Sequence, residues 1–546
     1  MALMETLTGG SVNMTLLVDL VKVLAPVWLV LYFIVYQRPE EPRFLSLPVV
    51  GVRKQWAAWA WATIRSYRST KDWALEGYAK YAKNGQPFVI QSLDRGPLTL
   101  IPPQEVKNMY TLPESVLDIR ATQQETNQTR WVAWDKEPAE DKFVFDVVRL
   151  QVTRNMKLLT PRIATEIEMG FEQWWGLETA WKEVKLWDTC WMIVTGAVNS
   201  ALCGAPLCRN AKFLKGCQDH SVVIMAGAMI INACPRLLQP IAGGLVWLAC
   251  GYFFSRTLKI CSPLIKDRLE KTAKLKADPS FDWTPPKDAL QWVIEECYDN
   301  GNLKQLTLNN IGFRLLLLND VSIPSTSFSV QSLILDLFAT DPSLGFVETL
   351  RKESETVYEE AGREWTYEAV KKLKLVESAI RESMRISPLG SVALPRTVVH
   401  RDGISLSKSK LPHGAVVAVP IEPIHFDEGI YPGANSFNAF RFADSEAVHA
   451  IIDKLAPRKD GEMTDGDRKR STNLDEAFLG FGIGKHTCPG RFFALTEMKI
   501  FLAHMLMNYD IEYLKEKPPL VDYVWLKVPS NSGTIRIRRR AKAGSG

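Results

Sequence analysis

The chain has 546 residues, of which 46% are hydrophobic and 23% are charged, a composition typical of a globular protein and not of a disordered or fibrous one. Its formal net charge of +5 is small, and the Lys and Arg residues are scattered, which argues against nucleic acid as a partner. Its nine cysteines lack paired zinc-site spacing and indicate a reducing compartment. Because no linker-like segment interrupts the chain further on, we predict one large domain over residues 52–546.

The first strong pattern is an apolar run over residues 16–36, about the twenty residues needed to cross a bilayer. Asp19 and Lys22 are its only charges, and basic residues follow the run instead of preceding it. By the positive-inside rule the large domain then lies in the cytosol. We predict a short lumenal N-terminus (1–15), a single uncleaved anchor in the endoplasmic reticulum membrane, and a Pro-rich tether (37–51). A cleaved signal peptide and a buried core helix are the alternatives.

Two apolar segments follow in the middle of the chain. Residues 237–254 are apolar enough to suggest a second transmembrane helix, but Gln239 and Pro240 argue against it. Residues 307–338 predict a buried helix whose polar stretch from 319 to 329 costs free energy unless its hydroxyls find partners. Pro324 predicts a kink in this helix. The stretch therefore indicates either a functional site or a kinked core helix with capped carbonyls.

The next elements alternate helix and strand. Residues 371–385 predict one amphipathic helix with Glu382 and Arg385 on the same face. By itself such a pair is common and is usually solvated. Residues 394–399 and 411–420 are β-branched runs broken by Pro and Gly, and they predict strands. The highly charged segment at 454–473 predicts a surface insertion.

The most specific motif is FGIGKHTCPG at residues 481–490, which is followed by a run of helical periodicity. Its three glycines predict a backbone that turns tightly and approaches a flat group closely. Cys488 stands just before the helix, where exposed N–H groups favour a thiolate, the form that binds iron. A buried free cysteine is the alternative.

This motif closely resembles the haem-binding loop of cytochromes P450. His486, where most members carry Arg, and the run CPGRFFA at 488–494 resemble filamentous-fungal members. The resemblance implies a mainly α, triangular-prism fold with a small β lobe behind the transmembrane helix. It also implies an iron protoporphyrin cofactor with Cys488 as the axial ligand and with Phe481 in the cofactor-binding loop.

The resemblance assigns roles to residues outside the loop. Glu382 and Arg385 match its ExxR motif, and Arg441 in FNAFRF matches the later arginine, so the three are expected to form a buried charge network that supports the loop. His486, Arg396 and Arg149 match positions that bind the haem propionates. His486 would do so best as an imidazolium, which a nearby carboxylate favours. Arg149 stands four residues after Phe145, where Trp is usual.

On the helix at 307–338, Ser325 and Thr326 match the hydroxyl residues that guide protons to dioxygen. Pro324 replaces the usual acid, so proton delivery is expected to run through Ser325, Thr326 and water. This departure leaves open whether the product is a plain hydroxylation.

The implied function is a haem-thiolate monooxygenase that oxidises an apolar small molecule. Electrons from NADPH would arrive through NADPH–cytochrome P450 reductase, with cytochrome b5 as a further candidate partner. Segment 237–254 would lie over the substrate mouth at the lipid surface, and the pathway would be fungal secondary metabolism of a terpenoid, polyketide or alkaloid. Desaturation, rearrangement or coupling without oxygen insertion is one alternative. A non-catalytic membrane haem protein is the other.

Overall fold

The structure is a computed structural model that describes residues 46–133, 143–406, 409–444, 478–528 and 533–541. The predicted anchor at 16–36 and the charged segment at 454–473 lie outside these residues, as do residues 37–45 of the tether. The predicted domain boundaries therefore stay predictions.

Most of the described chain is helical. The helices are α1 (Ala58–Lys80), α2 (Pro103–Tyr110), α3 (Ile119–Asn127), α4 (Thr129–Val132), α5 (Phe143–Asp146), α6 (Met156–Trp174), α7 (Leu186–Leu202), α8 (Ala211–Ala233), α9 (Gln239–Ala277), α10 (Ala289–Asp299), α11 (Leu308–Phe338), α12 (Phe346–Glu360), α13 (Tyr367–Lys372), α14 (Lys374–Ile386), α15 (Ile421–His425) and α16 (Arg491–Asn508). A π-helical segment, Val147–Val152, follows α5 directly.

The strands form a smaller lobe. They are β1 (Val49–Val50), β2 (Phe88–Ser92), β3 (Gly96–Leu100), β4 (Leu117–Asp118), β5 (Lys182–Lys185), β6 (Ala393–Val398), β7 (Ile404–Leu406), β8 (Ser409–Leu411), β9 (Val416–Val419), β10 (Tyr509–Ile511), β11 (Val521–Tyr523), β12 (Leu526–Val528) and β13 (Thr534–Arg539). The largest sheet has the order β1-β2-β3-β9-β6-β4, and β9 runs parallel to β3 and antiparallel to β6. A second sheet has the order β10-β13-β5.

Helix α11 lies at the centre of the helical part and packs against α7, α9, α14 and α16. It begins at Thr307, whose side chain accepts a hydrogen bond from the backbone N–H of Asn310, as expected of an N-cap residue. The chain remains helical on both sides of Pro324. The predicted fold class, mainly α with a small β lobe, is confirmed.

The single helix predicted over 371–385 is wrong, because the structure has two helices, α13 and α14, that meet at Leu373. Buried Glu353 on α12 accepts hydrogen bonds from the backbone N–H groups of Lys374, Leu375 and Val376, at 2.7, 2.8 and 2.9 Å. These donors lack partners at the start of a helix. A carboxylate distant in sequence thus fixes where α14 begins.

A buried histidine in α16 predicts loss of stability in mild acid. His504 stacks on Phe171, and burial, with a smaller contribution from Arg539, lowers its pKa from 6.5 to about 3. Between these two values only the unfolded chain takes up this proton, so stability is lost as the pH falls below about 6.5. His504→Phe should remove about 1 kcal/mol of that loss at pH 5.5.

The measurement is the difference in Tm between pH 7.5 and pH 5.5. We expect a smaller difference for His504→Phe than for the wild type. The exposed His413 offers the control, since His413→Phe should leave the difference unchanged. Equal differences for all three proteins would contradict the assignment.

Candidate haem-thiolate site

The loop at 481–490 is closed by its own hydrogen bonds. The backbone N–H of Cys488 donates to the carbonyl of Phe481 at 2.9 Å, and the Thr487 hydroxyl donates to the carbonyl of Gly484 at 2.6 Å. Gly484 has φ of 74°, and a Cβ there would lie 2.4 Å from the carbonyl oxygen of Tyr110. Only glycine tolerates both the backbone angle and this approach of α2.

Cys488 stands in this loop, immediately before α16. Burial raises the pKa of its thiol, while a backbone hydrogen bond from Gly490 and the charge of Arg491 act in the opposite direction. Burial thus disfavours the anion while the backbone hydrogen bond and Arg491 favour it, and the expected thiolate stays a prediction. A bound iron would favour the thiolate further.

The structure brings Glu382, Arg385 and Arg441 together. Arg385 donates from Nε and Nη2 to the two carboxylate oxygens of Glu382, both at 2.8 Å, and Nε of Arg441 lies 3.0 and 2.9 Å from the same two oxygens. The side chains of Glu382 and Arg385 are fully buried. Arg385 also donates to the carbonyls of His425 and Ala434. The network thus ties α14 to the chain segment that precedes the cysteine loop.

Arg396 on β6 is a buried cation. Its guanidinium donates to the carbonyl of Pro395 and lies 5.1 Å from the ring centroid of Tyr110, and burial lowers its pKa. Within the described part of the chain, no carboxylate forms an ion pair with it. A buried charge without a counter-ion is costly, so this position suits an anionic group of a ligand.

His486 lies close enough to Arg396 to be affected by its charge. Its Nε2 lies 3.2 Å from a carboxylate oxygen of Glu114. Burial and Arg396 lower the pKa of His486, and Glu114 only partly offsets them. The protein groups around His486 thus disfavour the imidazolium, and its expected charge beside a haem propionate stays a prediction. A neutral ring can still donate one hydrogen bond to a carboxylate.

Among the described residues, no hydrogen bond or ion pair joins the remaining predicted site residues to this group. Arg149, on the π-helical segment, is exposed and pairs with Asp146 at 2.9 Å. The Ser325 hydroxyl bonds to carbonyls of its own helix, those of Val321 and Ser322. Thr326 is 5% exposed, and its hydroxyl makes no hydrogen bond within the described residues. Of the two hydroxyls predicted to guide protons, those of Ser325 and Thr326, that of Thr326 is thus the one available to a ligand.

Sequence reasoning missed three contributors to this region. Glu114 and Tyr110 approach the cysteine loop from α2 and the turn after it, and no motif marks them. Asp320 is the acid closest to Ser325 on α11, but it lies 3.1 Å from Nδ1 of His220 on α8. The polar stretch of α11 indicated that its side chains have partners, and only the tertiary structure identifies His220 as one of them.

The fold and the site define a haem-thiolate protein. A half-buried cysteine in a glycine-rich loop offers one soft axial ligand, and a buried arginine that has no ion-pair partner among the described residues suits a haem propionate. The residues present therefore fit iron protoporphyrin IX, which Cys488 would hold through its iron and Arg396 and His486 through a propionate.

Comparisons with known proteins agree with this class. The family model for cytochrome P450 matches residues 250–536. The chain is 56% identical to cytochrome P450 monooxygenase okaG of Penicillium ochrochloron, over 97% of this chain and 100% of that protein. It is 30% identical to cytochrome P450 monooxygenase gloP of Glarea lozoyensis, over 98% and 97% of the two chains.

The structure is similar in fold to the crystal structure of the cytochrome P450DA haem domain, with a TM-score of 0.65, 15% identity, and 91% and 98% of the two chains covered. The chain belongs to the cytochrome P450 family, and the predicted enzyme class is confirmed. Within the described residues, one helix, Gln239–Ala277, is long and apolar enough to span a membrane by length and composition.

Proposed function

We propose that the protein is a membrane-associated monooxygenase that uses dioxygen and NADPH-derived electrons, supplied by NADPH–cytochrome P450 reductase, to oxidise an apolar small molecule of fungal secondary metabolism. The observation that carries the proposal is that Arg396, a buried cation with no ion-pair partner among the described residues, lies close enough to the Cys488 loop for its charge to act on His486. Haem, when bound there, supplies the activation of dioxygen. The names of the fungal relatives, each a cytochrome P450 monooxygenase, support the reaction type.

The surface of α9 supports association with lipid and an apolar substrate. Ile241, Leu245, Leu248 and Tyr252 follow helical spacing and are 61% to 66% exposed. The C-terminal part of the same helix packs into the domain, where Cys261 and Ile265 are fully buried. A contiguous exposed apolar face of this kind is characteristic of contact with a membrane surface.

The proposal is tested by reconstituting the full chain with haem, reductase and NADPH in lipid. Turnover of apolar terpenoid, polyketide and alkaloid scaffolds under labelled dioxygen should give products that carry one labelled oxygen. Product formation without label would favour desaturation, rearrangement or coupling, to which the replacement of the usual acid by Pro324 also points. Absence of turnover in a protein that is reduced normally would favour a non-catalytic haem protein.

We expect different effects from removing the hydroxyl of Thr326 and the hydroxyl of Ser325. Thr326→Val should lower the product formed per NADPH by at least about tenfold, because a buried free hydroxyl is lost from the path of proton delivery. Ser325→Ala should have a smaller effect, because this hydroxyl is already bonded to its own helix. The effects of both substitutions are measured as the amount of product formed per NADPH consumed. Equal effects of the two substitutions would contradict the assignment to Thr326.

The exposed Lys485 beside the cysteine loop is a candidate contact for an acidic reductase. Lys485→Glu should slow the first electron transfer by about tenfold at low ionic strength, and added salt should shrink the difference. Stopped-flow reduction measures the rate, and haem content should not change. Lys259→Glu, an exposed charge reversal on α9, is the matched control. If both variants are reduced at the wild-type rate, the docking role of Lys485 is excluded.

A further inference from the structure

A polar cluster is buried between α8 and α11, outside the group of residues around Cys488. His220 is 1% exposed, and its Nδ1 lies 3.1 Å from Oδ1 of Asp320. The Ser221 hydroxyl donates to the same oxygen at 2.7 Å. The other carboxylate oxygen of Asp320 is buried and has no hydrogen-bond partner within the described residues. Burying a polar group without a hydrogen-bond partner in an apolar interior costs free energy.

The contacts fix which nitrogen of His220 is available. A carboxylate only accepts hydrogen bonds, so Nδ1 of His220 carries the proton that it donates to Asp320. In the neutral ring, Nε2 is then an acceptor, and no hydrogen bond to it is present among the described residues. Asp320 therefore holds His220 in one tautomer and leaves one ring nitrogen for a ligand.

A small cavity lies beside this ring. It has a volume of about 10 Å³ and is lined by His220 together with apolar side chains, among them Val132, Phe254 and Phe313. This volume matches a single group the size of a water molecule. Trp247 also lines the cavity and is 45% exposed on α9, next to Leu248 of the exposed apolar face. The cavity thus borders the surface that we assign to lipid contact.

We propose that this cavity binds the hydroxyl or amide N–H group of an otherwise apolar ligand that arrives from the lipid-facing surface, with Nε2 of His220 as the hydrogen-bond acceptor. The ligand class rests on the proposed function. His220 would add a polar anchor for such a ligand. Asp320 and Ser221 are positioning residues, because they act through the imidazole. Apolar walls with one oriented polar group are typical of sites that fix the orientation of a small molecule.

The experiment uses two probes of the same shape, 2-naphthol and naphthalene, with the purified full-length holoprotein in detergent. Equilibrium titration gives the two dissociation constants, each corrected for partition into empty micelles. The proteins are the wild type, His220→Phe, which keeps an aromatic ring but lacks the acceptor, and His413→Phe as an exposed matched control. Haem content and Tm verify that each variant is folded.

In the wild type and in His413→Phe we expect 2-naphthol to bind about tenfold more tightly than naphthalene, as one hydrogen bond to a buried acceptor would give. His220→Phe should lose this preference, with naphthalene unchanged within about twofold. Equal binding of the two probes by the wild type would overturn the proposal, and so would a preference that survives in His220→Phe.

If His220→Phe does not fold, equal binding of the two probes by the wild type would still overturn the proposal. Binding is measured without reductase or NADPH. If the binding experiment contradicts the role of His220, the turnover experiment can still support the proposed monooxygenase. If the proposed function is wrong, this appears only in the turnover experiment.

Discussion

Cys488→Ala is expected to abolish turnover, leaving less than about 0.1% of the wild-type rate, because the Cys488 sulfur is the iron ligand that we propose and a cysteine thiolate favours O–O cleavage. The ferrous carbonyl spectrum should lose the red-shifted band of sulfur ligation. Because the variant lacks this ligand, we also expect it to retain less haem after purification.

The matched control is Cys234→Ala. Both cysteines are partly buried, and Cys234 follows α8, away from the glycine-rich loop. Its loss should change neither the spectrum nor the turnover. If Cys488→Ala kept a sulfur-ligated spectrum together with wild-type turnover, the haem-thiolate assignment would be wrong.

The second large effect is expected on stability. Glu382→Gln leaves Arg385 and Arg441 without their shared carboxylate. Breaking a buried ion pair by removing one partner typically costs about 3–5 kcal/mol, because the remaining charge stays buried. We expect a strongly lowered Tm and loss of haem during purification, since the network ties α14 to the segment that precedes the cysteine loop.

An exposed Glu–Arg pair provides the comparison. Glu359 and Arg363 form a salt bridge at 3.0 Å on the surface, with side chains that are 59% and 72% exposed. Glu359→Gln should hardly change the Tm, because water screens such pairs. If Glu382→Gln and Glu359→Gln lowered the Tm equally, burial would not explain the importance of the triad.

Local chemistry accounts for the parts of the site that could be predicted. The cysteine loop carries its own glycines, and its hydrogen bonds, such as that from Cys488 to Phe481, join residues close in sequence. Glu382 and Arg385 are one helical turn apart, so their pairing follows from helix geometry. The burial of Cys488 and His486, which disfavours their charged forms, could not be predicted, because a motif does not show the solvent exposure of a side chain.

The sequence by itself determined the family, the fold class and the residues of the haem loop, because each depends on short patterns and on helical periodicity. Only the tertiary structure decided where α14 begins, which carboxylate meets His486, and that Asp320 faces His220 across two helices. These contacts join residues about twenty to several hundred positions apart, and they depend on how whole helices pack. The same packing removes water from side chains and so shifts their pKa values, as it does for His504, in a direction that no motif reveals.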